Sequence, residues 1–215
     1  MKIRSIICSL AILFFLNSCV VKSLSPFYTK ETISFTEEFL GKWKDNENGK
    51  WEVKTFESEI LKGYKGKVSK EDKQLISLYK NSYFVSFEKK RKEAFFIATP
   101  FKIKDQLFLD FIPVDYDSGG INSLTFSHIV YAHSLVKFDV SSNGSIKIKW
   151  FDEDRIEDLF KEGKIKIKHE KVGLLNDKYL LTASSKELQK FVEKYIVSNA
   201  SKKWETSIKF TLTKV

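Results

Sequence analysis

The chain of 215 residues carries 37 basic against 28 acidic side chains, a formal net charge of +9. Lysines far outnumber arginines, whereas phosphate forks and base edges are read mainly by arginine, so the excess describes a solvated lysine-rich exterior or one drawn to anionic lipid or acidic glycan, not a nucleic-acid reader. Two cysteines, Cys8 and Cys19, exclude a disulfide framework and a thiolate metal cage. Nineteen Phe, eight Tyr and four Trp against only three Pro belong to a chain that buries a core.

The first nineteen residues fix the context. Lys2 and Arg4 open the chain, and Ile6 to Leu16 is almost unbroken apolar sequence. Spanning a bilayer needs roughly 20 apolar residues, so this run is too short. A basic start, a short apolar run and a small residue before a cut make a secretory signal. Its last four residues, Leu16-Asn17-Ser18-Cys19, resemble the lipobox of bacterial lipoproteins. That resemblance implies a signal peptide over 1–18 and palmitate-type acylation of Cys19, with the membrane as partner. Each buried CH₂ of an acyl chain contributes about 0.8 kcal/mol, and several chains make a stable anchor. Losing Lys2 and Arg4 leaves the remaining chain at +7, without a free thiol. Export also argues against nucleic acid. No acidic residue directly follows Cys19, which favours residence in the outer membrane, facing the periplasm.

Residues 19–36 hold Ser25-Pro26 and no sustained periodicity, and are expected to form a tether that joins the body near Phe35. Residues 37–215 are expected to form one β-rich domain. Asn48-Gly49, between Lys42-Trp43-Lys44 and Trp51-Glu52-Val53-Lys54, is a hairpin signal. Tyr83 to Phe87, Ala94 to Ile103 and Leu107 to Ile112 read as strands, with Asp115 to Ser127 a loop. Ile129 to Val140 and Ile146 to Trp150 flank a second hairpin turn at Asn143-Gly144. Between Asp152 and Glu162 the period becomes helical, with acidic residues in the first turn and Gly163 as the stop. Ile165 and Ile167 alternate with Lys164, Lys166 and Lys168 as a strand would, and Tyr179 to Thr182 reads as another. Ser184 and Glu187 have capping-box spacing before an amphipathic helix over 185–199. Glu205 to Thr213 closes the chain as strand. The expected fold is mainly β with α. It is an antiparallel barrel or strongly curved sheet of about nine or ten strands, with two helices.

Leu40-Gly41-Lys42-Trp43 resembles the Gly-x-Trp element that opens the first strand of lipocalins. A preceding helical turn and a closing helix-then-strand also match that family's order. The resemblance implies a ligand-binding barrel. Two features depart from it: the helix over 152–162, and the lack of an evident arginine to pack on the tryptophan, since only Arg91 and Arg155 remain after the signal. The chain as a whole is similar to envelope lipoproteins of Bacteroidetes type, with Ser25-Pro26-Phe27-Tyr28 in the tether.

Chemistry-bearing clusters are few. His128 and His133 lie five apart and would face opposite sides of a strand, while Asp115 and Asp117 would share one side. Together they sketch an acid–base or metal site, but open zinc sites need three placed ligands, and turn aspartates with ordinary strand histidines describe them as well. Ser118-Gly119-Gly120 lacks the lysine of a phosphate loop. Asp152, Glu153 and Asp154 read as a helix start, and Trp43, Trp51, Trp150 and Trp204 as packing residues. The expectation is a non-enzymatic envelope protein, without a metal or cofactor, that binds an apolar or amphiphilic small molecule inside the sheet. The alternative is an interaction module with a solid core. An envelope hydrolase is the third, and it needs His128 or His133 beside Asp115 or Asp117.

Overall fold

The computed structural model describes residues 20–114, 129–200 and 203–215. β1 (Lys22–Ser23) leads into two 3-10 turns, Lys30–Thr32 and Glu37–Phe39. β2 (Gly41–Asp45) and β3 (Lys50–Thr55) form a hairpin, followed by α1 (Phe56–Leu61) and α2 (Lys70–Leu78). β4 (Tyr83–Lys89), β5 (Lys92–Ile103) and β6 (Gln106–Pro113) form a meander, and β7 (His133–Val140) and β8 (Ile146–Trp150) a second hairpin. Then come α3 (Glu153–Lys161), β9 (His169–Val172), β10 (Lys178–Leu181), α4 (Ser185–Val197) and β11 (Lys209–Lys214).

The turns follow from their residues. Asn48 sits at φ 65, a left-handed conformation that asparagine tolerates. Asp45, buried at the end of β2, accepts the Glu47 and Gly49 amides at 2.8 and 2.7 Å, and the Trp51 indole N–H at 2.9 Å. Gly49 is required there, because a Cβ would lie 2.4 Å from Asp45 Oδ2 and 2.6 Å from the Phe87 ring. Lys90 and Arg91, at φ 52 and 61, make the two-residue primed turn that matches strand twist.

Eight strands close on themselves in the order β6-β5-β4-β3-β2-β11-β8-β7, and β6 pairs with β7 to seal the ring. All of these pairings are antiparallel. β1, β10 and β9 extend the sheet from β7; β1 runs antiparallel to β7 and parallel to β10. The expected antiparallel barrel is therefore present, with three strands beside it.

Strand alternation divides the core. Phe39, Trp43, Trp51, Tyr83, Phe111 and Phe138 meet inside the barrel with Val85, Leu109, Val136 and Ile148. Their rings touch: Phe39 lies 5.3 Å from Tyr83 and 5.2 Å from Phe138, and Phe111 lies 5.2 Å from Trp150. An eight-stranded barrel is just wide enough for side chains to fill, and here aromatics fill it. A second core lies on the outer wall, where Phe101, Phe108 and Leu135 pack beneath Leu159 of α3 and Leu188 and Val192 of α4. A third, smaller one joins Phe56 of α1 to Phe84 and Ile97.

Three expectations are corrected. Residues 20–36 are not a loose tether: Val21 and Phe27 are fully buried, and β1 is hydrogen-bonded on both sides. Local periodicity cannot reveal this, because the partners lie far away in sequence. Ile165 and Ile167 alternate but belong to no strand; pairing begins only at His169. β7 begins at His133, not at Ile129. The helices α1 and α2, each capped by a hydroxyl (Thr55 and Ser69), are additional to the two expected. Among the described residues no helix is long and apolar enough to cross a membrane.

Tyr83 ties the N-terminal strap to the barrel. Its hydroxyl donates to the Thr36 carbonyl at 2.6 Å and accepts the Thr36 amide at 3.2 Å. Burial pushes its pKa up to about 12, against the weaker opposing pull of the Thr36 hydrogen bond. A raised folded-state pKa means that this stabilisation is complete below pH 10 and is lost as pH rises through 12. Tyr83→Phe is expected to cost about 1 kcal/mol at neutral pH and to flatten part of the stability loss across that alkaline window. Urea unfolding at stepped pH measures both effects.

Candidate functional site

Two features on the outer wall deserve comparison: a buried clasp and an open cleft. The clasp begins with Asp110, in the apolar run of β6. Its neighbours Leu109 and Phe111 face inward, so Asp110 faces out, level with Thr99 of β5. His133 opens β7 two residues before Leu135, which also faces out. Asp110 Oδ1 meets His133 Nδ1 at 2.6 Å, and Oδ2 accepts the Phe27 amide at 2.7 Å. Burial pushes the Asp110 carboxyl above the usual carboxylate range; the His133 ring and then the Phe27 amide pull the other way. Nearby, the Ser82 and Thr99 hydroxyls share a hydrogen bond of 2.8 Å.

An aspartate orienting a histidine is the base half of a catalytic triad. Here the second carboxylate oxygen holds the strap, and Phe27 beyond it is fully buried. The pair acts as a fastening for the Ser25–Tyr28 segment. His133 is thus placed, but with Asp110, which sequence reasoning passed over. The available signal was a lone carboxylate within an otherwise apolar strand. Cys19, Asp115, Asp117, Ser118-Gly119-Gly120 and His128 lie outside the described residues. Among the described residues no group of three His, Cys, Asp or Glu is arranged to hold a metal ion.

The remaining candidates are absorbed by the fold. The Asp152 side chain caps α3 by accepting the Arg155 amide, and Glu153 accepts the Tyr179 amide at 2.8 Å. Trp43, Trp51 and Trp150 lie in the barrel core; their indole N–H groups donate to the Phe39 carbonyl, Asp45 and Ser134 respectively. Trp204 packs outside it against Phe108, Phe151 and Tyr195. The cation on the Gly-x-Trp tryptophan is Lys214, whose ammonium lies 5.4 Å from the Trp43 ring centre. β11 delivers it, since Lys214 pairs with Trp43.

The cleft is made by the alternation that looked like a strand. Gly163, at φ 64, ends the turn after α3, and residues 164–168, which belong to no helix or strand, lie across from α4. Ile165 and Ile167 are half-buried and Lys164, Lys166 and Lys168 exposed. α4 supplies the other wall through Phe191 and Tyr195, with Lys190 and Lys194 along its edge. The space between is about 840 Å³. Its floor is apolar, from Leu159, Ile165, Ile167, Ala183, Phe191 and Tyr195, and its rim carries five lysines and Glu187. Glu187 is already engaged in capping Ser184. The Tyr195 hydroxyl and Arg155 Nε are buried close to one another. Burial raises the Tyr195 pKa, partly offset by the Arg155 guanidinium.

A second depression, of about 570 Å³, lies over β2, β3 and β4. Two of its lysines face acids, Lys50–Glu88 at 3.2 Å and Lys42–Glu52 at 4.0 Å, and its lining holds three lysines and three glutamates. Of these two, the first cleft joins an apolar floor to a rim in which lysines outnumber acids, although Lys164 is paired with Glu162 at 2.8 Å. Among known proteins, no family model, curated protein or solved structure matches this chain.

Removing the clasp carboxylate orphans both the His133 ring and the Phe27 amide. Asp110→Ala is expected to cost about 3 kcal/mol in urea unfolding at neutral pH. Limited proteolysis should then cut first within residues 20–36. Asp110→Asn keeps an acceptor for the Phe27 amide, so its cost should be smaller.

Proposed function

We propose that this chain is a non-enzymatic envelope lipoprotein, moored through acylated Cys19, that binds an anionic amphiphile in the cleft between residues 164–168 and α4. The observation that carries the reading is the cleft itself. An alkyl chain matches its apolar floor, and a carboxylate or phosphate matches lysines on both walls. Its volume, about 840 Å³, lies within the range of small-molecule sites. The barrel interior is a poorer candidate, because Phe39, Trp43, Tyr83 and Phe138 already occupy it. The Gly41–Trp43 element at the start of a closed barrel supports the lipocalin-like resemblance in architecture, with the ligand moved from inside the barrel to its outer wall. The filled interior equally suits a second reading, an envelope interaction module whose outer surface serves a protein partner.

Titration with cis-parinaric acid separates the two. One saturable site per chain is expected, with a change in tryptophan emission, because Trp204 packs 5.7 Å from Tyr195. Lys190→Glu with Lys194→Glu should weaken binding by about tenfold or more, at roughly 1 kcal/mol per lost lysine contact near an anion. No saturable signal from the acid or from a fatty alcohol would leave the interaction module as the surviving reading.

The anchor has its own check. Labelled palmitate fed to the expressing cell should appear on the wild-type chain and be absent from Cys19→Ser. Equal labelling of both chains would remove the lipoprotein reading.

A further inference from the structure

The β9–β10 hairpin ends in Gly173-Leu174-Leu175-Asn176. Leu174 is 104% exposed and Leu175 83%, with Val172 beside them at 38%. The turn is shaped by backbone: Gly173 lies at φ 94, Asn176 at φ 51, and the Asn176 amide donates to the Gly173 carbonyl at 3.2 Å. Two adjacent leucines are therefore exposed at the tip of a paired hairpin, and among the described residues they belong to none of the apolar cores.

The place of that tip follows from topology. β1 and β10 are parallel, with Lys22 opposite Leu180 and Ser23 opposite Leu181. Their N-terminal ends therefore point the same way, and the N-terminal end of β10 is the hairpin turn. The chain enters the described body at Val20, on that same side. Val20 is level with the Val172–Lys178 pair, and the leucines lie two or three residues beyond it, at most about 10 Å at strand spacing. Charge agrees with the placement. Lys171 and Lys178 flank the turn, with Glu170 and Asp177 among them, and Lys22 of β1 is exposed beside them. Lys171 is steadied over the Tyr179 ring at 5.3 Å.

We propose that the β9–β10 tip is a membrane wedge: Leu174 and Leu175 enter the acyl region of an anionic bilayer while the lysines behind them meet its phosphates. The inference rests on reading Cys19 as the acylated residue, which sets this end of the body against the bilayer. An acyl anchor alone leaves the body free to tumble. A second contact close to the anchor fixes its orientation. Exposed leucines backed by lysines have the composition of interfacial membrane contacts.

The test uses the chain from residue 19 onward, which holds every described element, with Cys19→Ser so that no acyl chain contributes. Leu174→Cys then supplies the one thiol for an environment-sensitive NBD label. Vesicles of phosphatidylcholine and phosphatidylglycerol should shift its emission to the blue, and spin-labelled lipid should quench it. The same label at Lys44→Cys, on the barrel wall, should not respond. Leu174→Ser with Leu175→Ser should lower vesicle co-sedimentation by about tenfold without moving the urea midpoint, since both side chains are exposed. A silent label at 174, or unchanged sedimentation of the serine pair, overturns the wedge. Because the protein carries no lipid, neither result depends on acylation, which palmitate labelling reports separately.

Discussion

Ring closure between β6 and β7 is the constraint from which the rest follows. Closing at eight strands leaves an interior that side chains alone can fill. The inward-facing positions carry large rings, with Phe39 edge-on to both Tyr83 and Phe138. A full interior moves everything else to the outer wall. Alternation supplies that wall with its own apolar residues, Phe101, Phe108 and Leu135, and α3 and α4 cover them. The same helices, with the segment between α3 and β9, leave the amphipathic cleft. The barrel is then the scaffold, and the layer laid on it carries the cleft for which binding is proposed.

The strap over residues 20–36 joins these layers. It bonds to β10 through the Leu24 amide and the Leu181 carbonyl, to β5 through Ser34 and Pro100, and to β4 through Thr36 and Tyr83. Its strongest fastening is Asp110, a carboxylate whose burial is unfavourable in isolation and is offset by His133 and the Phe27 amide. Through β1 the strap also fixes which end of the sheet receives the incoming chain. Cleft wall, β9–β10 hairpin and that end are thus continuous. A cleft that takes amphiphiles and a tip that enters a bilayer would then draw on the same lipids.

Much of this was legible in sequence wherever a local conformation demands particular residues. Asn48-Gly49 and Asn143-Gly144 marked two hairpins because few other residues tolerate those turns. Ser184 with Glu187 marked the start of α4, and the strand alternation from Lys42 to Trp150 gave the barrel its mainly β character. What was not legible depends on distant partners. The strap has no period of its own, since the hydrogen bonds that hold it against the body, at Phe151, Leu181, Pro100 and Tyr83, come from distant parts of the chain. Asp110 lies 23 residues from His133, and nothing local links them. Ile165 and Ile167 have the alternation of a strand, but they line a cleft instead of pairing. Lys214 stands over Trp43 where an arginine was sought, because β11 returns to β2 only after the whole chain is wound.

The central claim is that the barrel is full and the ligand sits outside it. Methyl NMR with a bound fatty acid tests this most directly. The account predicts shifts at Ile165, Ile167 and Leu159, which line the cleft, with Val85, Val136 and Ile148 unchanged. Shifts confined to Val85, Val136 and Ile148 would put the ligand inside the barrel and contradict it.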